Sequence, residues 1–310
     1  MKINKHISNI IIIITFIIIS LSYNFFKNKN KFTNINQYPN NSIGISLKDS
    51  DGKESNINLK VINNKVIANI TIINNTKYDL NFTLVPLINY SQVKFSINDN
   101  IRDKFTFDLN KNSEKTFQIK LNISDTNTNH MLNFILYNNS KIKHDHKDDI
   151  IFTPLITKHN LIVNKNMPFL KRTLSFNDKT KLHKKVDESN TFSLNIENLH
   201  NFKKPDEIHV KKDEMVSIPT NISSFDNSED YAFWLSLNGD QLLINNNLKY
   251  LYFKLPNQYA INKNVTFRAP HNKGTYELIG FLITNPLIKE GNNQKYSDII
   301  TSSKIKLIVN

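Results

Sequence analysis

Apolar and polar residues alternate along most of the chain after residue 41, and this pattern constrains the fold more than any other feature. In the run KVIANITIIN every second residue from Val66 to Ile72 is apolar, which places these side chains on one face of a β-strand. The pattern recurs at Leu80, Phe82 and Leu84, and at Phe117, Ile119, Leu121 and Ile123. Clusters of Asn, Asp, Lys and Ser between the runs suit turns. The sequence therefore predicts an all-β fold of sandwiched sheets.

The length of the chain and the positions of the runs predict how the strands are grouped. No segment after residue 31 shows the period and end caps of a long amphipathic helix, which argues against alternating strand–helix folds. A chain of 310 residues is long enough for two domains. We expect a first β-sandwich over residues 42–164 and a second over 192–310. Residues 165–191 lose the period and gain charge, which predicts a linker or an added strand.

The N-terminal residues 1–31 contain a long apolar run flanked by lysines. From Ile10 to Phe26 the run would reach roughly 25 Å as a helix, near the lower limit for spanning a bilayer. We expect an uncleaved signal-anchor, a single transmembrane helix that holds the bulk of the chain outside the cytoplasm. The alternative is secretion after cleavage near Ser22, because Ser20 and Ser22 supply an imperfect small-x-small cleavage pattern.

The composition limits the kinds of partner. The net charge is +13, but the lysines are scattered among the strands and no Arg-rich helix is present. This distribution argues against a nucleic-acid partner and favours a weak, salt-sensitive attraction to an anionic envelope polymer or lipid surface. The absence of cysteine excludes disulfides, thiolate metal sites, a cysteine nucleophile and a lipid-modified cysteine.

Two runs carry side chains that could bind a metal. Asp49–Glu54 begins like a calcium loop, but its twelfth position is Lys60 where the loop needs a Glu. A hairpin turn at Asp51-Gly52 explains it better. His144–Asp149 offers two imidazoles and three carboxylates, yet we expect a solvated loop there. No hydrolase, nucleotide-binding or metalloprotease motif is present. We therefore predict no catalytic, cofactor-binding or metal-binding residue.

Two motifs in the second half resemble the immunoglobulin-like fold. Trp234 lies in the run YAFWLSL, and Tyr276 lies two residues before Leu278 in APHNKGTYELIGF. In that family a core Trp on one strand faces a strand in which a Tyr precedes a cysteine by two residues. The resemblance implies that Trp234 is the core Trp and that the Tyr276 hydroxyl bonds back to the corner backbone. It also implies that Leu278 replaces the cysteine and that Val216 or Ile218 faces it.

The first half resembles a different variety of Ig-like module. Leu109, Ser113 and Phe117 fill a Leu-x-x-x-Ser-x-x-x-Phe pattern that precedes a long alternating strand. This is similar to the cell-adhesion-related and peptidoglycan-associated modules of Gram-positive envelope proteins. The resemblance implies a membrane-anchored bacterial envelope protein with tandem Ig-like modules.

These observations together predict a non-catalytic, extracytoplasmic protein that binds or scaffolds and is tethered to the cytoplasmic membrane. Its expected partners are the membrane, through the N-terminal helix, and a protein or an envelope polymer. The end loops expected to present a partner site are Phe225–Tyr231, Asn238–Asn247 and Asn285–Lys295. The alternatives are an accessory subunit of a membrane transport or immunity complex and a secreted β-sandwich enzyme.

Overall fold

The computed structural model of the protein describes residues 42–49, 52, 58–139, 154–164, 166–168, 183–185, 192–194, 202–204, 207–223, 230–255, 259–284, 286 and 299–310. All regular elements within these ranges are β-strands, which confirms the predicted all-β class. The same ranges contain no helix long and apolar enough to cross a membrane. The predicted anchor, residues 1–31, and the His144–Asp149 run lie outside the described residues.

The strands of the first sandwich form two sheets. The strands are β1 (Ile43–Asp49), β2 (Asn58–Lys60), β3 (Lys65–Asn74), β4 (Leu80–Ile88), β5 (Ser91–Gln92), β6 (Phe95–Ile97), β7 (Asn100–Arg102), β8 (Phe105–Leu109), β9 (Ser113–Asn122), β10 (His130–Asn138) and β11 (Leu155–Ile162). Sheet 1 has the order β1-β3-β9-β6-β7, and sheet 2 has the order β2-β11-β10-β4-β5 with β8 also paired to β4. Strands β2 and β11 run parallel.

The strands of the second sandwich form two further sheets. The strands are β12 (His183–Lys185), β13 (Phe192–Leu194), β14 (Phe202–Lys204), β15 (Glu207–Val210), β16 (Met215–Ser223), β17 (Asp230–Leu237), β18 (Asp240–Gln241), β19 (Leu251–Lys254), β20 (Tyr259–Arg268), β21 (Gly274–Thr284), β22 (Ile299–Thr301) and β23 (Ile305–Val309). Sheet 3 has the order β12-β20-β16-β13. Sheet 4 has the order β14-β15-β23-β21-β17-β18, with β19 on β17 and β22 on β21.

Each pair of sheets encloses an apolar core. Core 1 lies between sheets 1 and 2 and contains the alternating residues of β3, β4 and β9 that the sequence pattern selects. Core 2 lies between sheets 3 and 4 and contains Leu278 together with Val216 and Ile218. The predicted inward orientation of Leu278 and of the two residues on the facing strand is thus confirmed. Leu109 and Phe117 also lie in core 1, while Ser113 closes a turn by donating its hydroxyl to the Asn110 carbonyl at 2.6 Å.

The predicted hairpin at Asp51-Gly52 is wrong. Strand β1 pairs with β3 in sheet 1, whereas β2 pairs with β11 in sheet 2. The chain therefore passes from one sheet to the other between Asp49 and Asn58. The local Asp-Gly signal favours a tight turn, but Leu47 of β1 and Leu59 of β2 reach core 1 from different sheets, and their burial decides the pairing.

The placement of Trp234 in the core of the second sandwich is also wrong. Tyr231, Phe233, Leu235 and Leu237 of β17 point into core 2. Because successive side chains of a strand point to opposite faces, Trp234 lies on the outer face of sheet 4. It is nonetheless buried there, with 1% of its surface exposed, because sheet 4 is covered on both faces.

The two sandwiches share one pairing scheme, which corrects the expectation of two different varieties. The series β2-β11-β10-β4-β5, with β8 on β4, corresponds to β15-β23-β21-β17-β18, with β19 on β17. Strands β1-β3-β9 correspond in the same way to β13-β16-β20, and the parallel β2–β11 pair corresponds to the parallel β15–β23 pair. Strand β12, within the segment 165–191, joins sheet 3 by pairing with β20.

Candidate binding cleft

A third apolar layer, called here the shared layer, joins sheet 2 of the first sandwich to sheet 4 of the second. It consists of Val85, Leu87, Tyr90, Met131, Ile135, Tyr137, Ala232, Trp234, Tyr250, Tyr252, Ile279, Phe281 and Ile283. The Trp234 ring stacks on Phe281 with centroids 5.1 Å apart. Because the layer is continuous with sheets on both sides, the described residues from Ile43 to Asn310 belong to one compact unit.

Gln92 and Gln241 join the two sandwiches through reciprocal hydrogen bonds. The backbone N–H of each residue donates to the side-chain Oε1 of the other, at 2.7 Å in both cases. Each side-chain amide also donates to a backbone carbonyl of its own sandwich, Gln92 to Asp103 at 3.2 Å and Gln241 to Lys249 at 2.9 Å. Exchanging the two sandwiches reproduces this pattern. The sandwiches are therefore related locally by a pseudo-twofold axis between the two glutamines.

The turns that precede these glutamines are equivalent as well. Asn89 and Asn238 both have left-handed backbones, with φ of 48° and 49°, a conformation that Asn tolerates well. Asn89 donates its N–H to the Met131 carbonyl and accepts the Met131 N–H on Oδ1, both at 2.9 Å. Asn238 makes the same pair of bonds to Glu277, at 2.9 and 2.7 Å. Each turn is thus fixed to the neighbouring strand in the same way.

The residues before Met131 and Glu277 tie down equivalent corners. The Tyr276 hydroxyl donates to the Asn272 carbonyl at 2.8 Å, which confirms the predicted corner bond. In the first sandwich His130 occupies the equivalent position, and its Nε2 lies 2.6 Å from the Asp125 carbonyl oxygen. Because a carbonyl only accepts, Nε2 carries the proton and Nδ1 accepts from the Asn89 amide at 2.9 Å. A histidine thus does in one sandwich what a tyrosine does in the other.

The pseudo-symmetry is broken at the second residue of each turn. Tyr90 follows Asn89 and is buried in the shared layer, with its ring 5.9 Å from Trp234 and 6.1 Å from Tyr250. Its hydroxyl donates to the Pro286 carbonyl at 2.6 Å, and burial raises its pKa well above the usual value. Gly239 stands at the equivalent position after Asn238 and has no side chain that could fill the shared layer. One side of the shared layer is therefore closed by an aromatic ring and the other is left open.

The open side forms a cleft of about 570 Å³ between the two sandwiches. The residues that define it are Thr83, Lys104 and Tyr137 of the first sandwich and Gly239, Tyr276 and Lys306 of the second. A Cβ at Gly239 would lie 3.5 Å from Thr83 Cγ2 and 3.8 Å from Tyr137 Cδ2, so the glycine backbone lies against the first sandwich at the cleft.

Hydroxyl and amide groups cover the wall that the first sandwich contributes. The Thr83 and Thr106 hydroxyls lie 2.9 Å apart, and the Asn139 amide donates to the Thr83 oxygen at 2.8 Å. Tyr137 donates its hydroxyl to Ser236 Oγ at 2.9 Å. Burial raises the pKa of Tyr137 well above its usual value, so this hydroxyl stays neutral and acts as a fixed hydrogen-bonding group.

Three lysines bring positive charge to the cleft, each next to a carboxylate. Lys104 Nζ donates to Asp240 at 2.8 Å and to the Asn238 carbonyl at 3.1 Å, which links the two sandwiches at the rim. The other two pairs are Lys304 with Glu277 at 3.1 Å and Lys306 with Glu207 at 3.3 Å. The arrangement suits binding of a polar or charged ligand.

The cleft was only partly foreseen from the sequence. The predicted loop Asn238–Asn247 borders it through Asn238 and Gly239, whereas most residues of Phe225–Tyr231 and Asn285–Lys295 lie outside the described residues. In the described part of the chain no cluster of metal-binding side chains occurs. The equivalence of the two turns is weakly visible in the sequence, since the segments INYSQ and LNGDQ both place an Asn three residues before a glutamine.

No family model and no curated protein matches the chain. Among solved structures, a red sea bream transglutaminase aligns at 9% identity and a TM-score of 0.24, over 86% of this chain and 31% of that one. The calcium-binding domain pair CBD12 of CALX1.1 aligns at 8% identity and a TM-score of 0.23, over 72% of this chain and 76% of that one. CBD12 of CALX1.2 aligns at 8% identity and 0.23, over 74% and 79%. At these TM-scores no property of those proteins is transferred to this chain.

Proposed function

We propose that this protein is a non-catalytic binding protein of the cell envelope that captures its partner in the cleft between the sandwiches. The observation that carries the proposal is the pair Tyr90 and Gly239. Equivalent turns close one side of the shared layer with a buried ring and open the other into a polar cleft. Clefts lined by a few fixed polar groups are the usual form of a ligand site.

We also propose a fold family for the two sandwiches. We take each sandwich as an Ig-like module, so that the chain consists of two tandem modules after an N-terminal hydrophobic helix. The corner bond of Tyr276 and the division of strands between facing sheets support this description. The shared layer then sets the orientation of the modules, because sliding them would expose Trp234 and Phe281. A rigid pair of modules suits binding and scaffolding.

The proposed location rests on the sequence of residues 1–31. The flanked apolar run favours a single-pass anchor with the sandwiches outside the cytoplasmic membrane. Protease treatment of intact cells, followed by mass analysis of the mature N-terminus, tests this location. We expect digestion of the sandwiches and an intact anchor. Protection of the whole chain would contradict the location, and a mature start at Tyr23 would indicate a secreted form.

Substitution of Gly239 tests the binding role. In Gly239→Tyr the new ring would occupy the open side as Tyr90 occupies the closed one, and φ of 82° at Gly239 is close to the 63° that Tyr90 already adopts. Asp99→Tyr is the matched control, since Asp99 holds the same position in the β6–β7 turn with φ of 64° and does not line the cleft. We expect crosslinked partners to be lost from cells that carry Gly239→Tyr and kept with Asp99→Tyr. Equal capture by both variants would contradict a role for the cleft.

A further inference from the structure

Resting on the binding role just described, we propose that the cleft binds an anionic chain, a ligand that bears phosphate or carboxylate groups along a flexible backbone. Cationic side chains reach the cleft from both walls. Lys104 comes from the first sandwich, and Lys304 and Lys306 come from the second. Glu277 lines the cleft with them, and Asp240 and Glu207 pair with Lys104 and Lys306, so each ammonium group is present together with a carboxylate.

Two of the carboxylates next to these lysines, Asp240 and Glu277, act as exchangeable partners. The side chains of Lys104, Lys304 and Lys306 are 35%, 43% and 54% exposed. The carboxylates of Asp240 and Glu277 are 58% and 42% exposed, and ion pairs at such exposure are weak, so a ligand oxyanion can displace or join them with little loss. Glu207 is 9% exposed, so at Lys306 a ligand oxyanion joins the carboxylate and does not displace it. While the cleft is empty, the carboxylates hold the ammonium groups in place. This reduces the ordering that a ligand would otherwise have to impose.

Comparison with the closed side shows that Lys104 and Lys306 are specific to the cleft, whereas Lys304 has a lysine, Lys158, at its equivalent position. The carboxylates Asp240 and Glu277 are specific to the cleft as well, since Ser91 and Met131 hold their positions on the closed side. Asp103 and Lys249 accept the equivalent glutamine amides, so the residues that follow them, Lys104 and Tyr250, are equivalent. Tyr250 packs against Tyr90 on the closed side. A general excess of lysine would affect both sides alike. Instead, the open side has a lysine and a glycine where the closed side has two tyrosines.

The wall that the second sandwich contributes to the cleft also differs from its counterpart on the closed side. Glu277 pairs with Lys306 across β21 and β23, and the equivalent Met131 pairs with Asn160 across β10 and β11. A lysine thus stands on the open side where an asparagine stands on the closed one. The hydroxyls of Thr83 and Thr106 line the wall of the first sandwich together with Lys104 and offer the short-range donors that oxyanions accept.

The size of the cleft favours a polymer segment over a single ion. Its volume of about 570 Å³ lies within the range of sites that hold organic ligands of many atoms. A lone phosphate would leave most of this space to water. Several linked anionic units can contact Lys104 on one wall and Lys306 on the other.

Binding of defined polyanions by the full-length chain in non-ionic detergent tests this inference. The probes are inorganic polyphosphate, poly-glutamate and neutral dextran. We expect at least one polyanion to bind, with an affinity that falls as salt is added, and dextran not to bind. Lys104→Gln and Lys306→Gln should each raise Kd several-fold, and Gly239→Tyr should raise it more than about tenfold. Lys120→Gln is the matched control, because Lys120 also pairs with an exposed carboxylate, Asp99, but on sheet 1.

Each outcome of this experiment bears on the inference. A preference for polyphosphate or for poly-glutamate identifies the anionic group of the ligand as phosphate or as carboxylate, and either result supports the inference. Equal weakening by Lys120→Gln and Lys306→Gln would show attraction to the overall charge and would overturn it. Dextran binding that Gly239→Tyr abolishes would overturn the anionic ligand while leaving the cleft as the binding site. Polyanion binding that Gly239→Tyr leaves unchanged would overturn both proposals.

Discussion

Gln92 and Gln241 each donate a backbone N–H to the other's side-chain oxygen at 2.7 Å, and this reciprocal pair joins the two sandwiches. The Gln241 amide also donates to the Tyr90 carbonyl at 2.7 Å. The pair therefore fixes the turn that carries Tyr90 against the opposite sandwich. Polar bonds of defined geometry set the register of the sandwiches, while the shared layer supplies most of the buried apolar surface.

We expect Gln92→Ala and Gln241→Ala each to lower the free energy of unfolding by about 1 to 3 kcal/mol, because each leaves a partly buried N–H without its acceptor. In the double variant the two losses should not add, and the coupling free energy should be at least about 0.5 kcal/mol. Urea unfolding of the four proteins measures this cycle. Gln118→Ala, on the exposed face of β9, is the control and should change stability by less than about 0.5 kcal/mol. Additive losses would contradict the reciprocal pair.

Trp234 makes the shared layer visible to fluorescence. It is the single tryptophan of the chain, and 1% of its surface is exposed. We expect its emission to shift to the red in the same urea transition in which far-UV circular dichroism is lost, because the shared layer and the two cores unfold together. A red shift that precedes the loss of secondary structure would show that the sandwiches separate first.

Truncation of the same residue tests how much the shared layer contributes to stability. Trp234→Ala should lower the free energy of unfolding by about 3 to 5 kcal/mol, the usual cost of removing a large buried ring. The measurement is urea unfolding followed by circular dichroism, since the variant has no tryptophan. Ile101→Ala, at a residue 70% exposed on β7, is the control and should have little effect. A loss for Trp234→Ala as small as that of the control would contradict its buried position.

The alternation of apolar residues correctly predicted which side chains face the core in a strand with one solvent-exposed face. It failed in a strand whose two faces are both buried. In β3 the exposed and buried residues alternate from Lys65 to Ile70, so period two identifies the core side. In β17 every residue from Tyr231 to Leu237 is buried. Hydrophobicity alone therefore does not show whether Phe233 or Trp234 faces core 2. The two faces of β17 differ only in what packs on them, which is core 2 on the Phe233 side and the first sandwich on the Trp234 side.

The corner bond of Tyr276 was foreseen because the Tyr and Leu278 are spaced as in a known motif, whereas its counterpart at His130 was not. The two corners differ in residue type and share little local sequence, so the equivalence becomes visible only through the bonds that Asn89 and Asn238 make next to them. The cleft depends on the same comparison. A glycine in a turn is unremarkable in a sequence, and its importance follows from the tyrosine at the equivalent position.

We expect Tyr276→Phe to lower the free energy of unfolding by about 0.5 to 1.5 kcal/mol, because it removes the hydrogen bond to the Asn272 carbonyl and keeps the ring. Thermal unfolding measures the change. Tyr78→Phe is a suitable control, since Tyr78 packs its ring against core 1 and has no side-chain hydroxyl bond among the described contacts. An unchanged melting midpoint for Tyr276→Phe would show that the corner bond does not stabilise the fold.

We expect His159 to make the first sandwich sensitive to acid. It pairs with Leu132 across β10 and β11, and cross-strand partners share a face, so its ring points toward core 1. Both ring nitrogens are buried without a hydrogen-bond partner. Burial lowers the pKa of His159 from 6.5 to about 4, because the charged imidazolium would lose its hydration there. Between these two pKa values the unfolded chain binds a proton that the native state excludes.

The free energy of unfolding should therefore fall as the pH drops from about 6.5 to about 4, by up to about 3 kcal/mol from this residue, and His159 should have no effect above that window. His159→Leu keeps a similar volume and removes the titrating group, so it should flatten the profile in this range. Urea unfolding at a series of pH values measures both profiles. His271→Gln, at an exposed histidine paired with Asp213, is the control and should retain the acid-sensitive slope. If wild type and His159→Leu lose stability in parallel on acidification, the proton that destabilises the fold binds elsewhere.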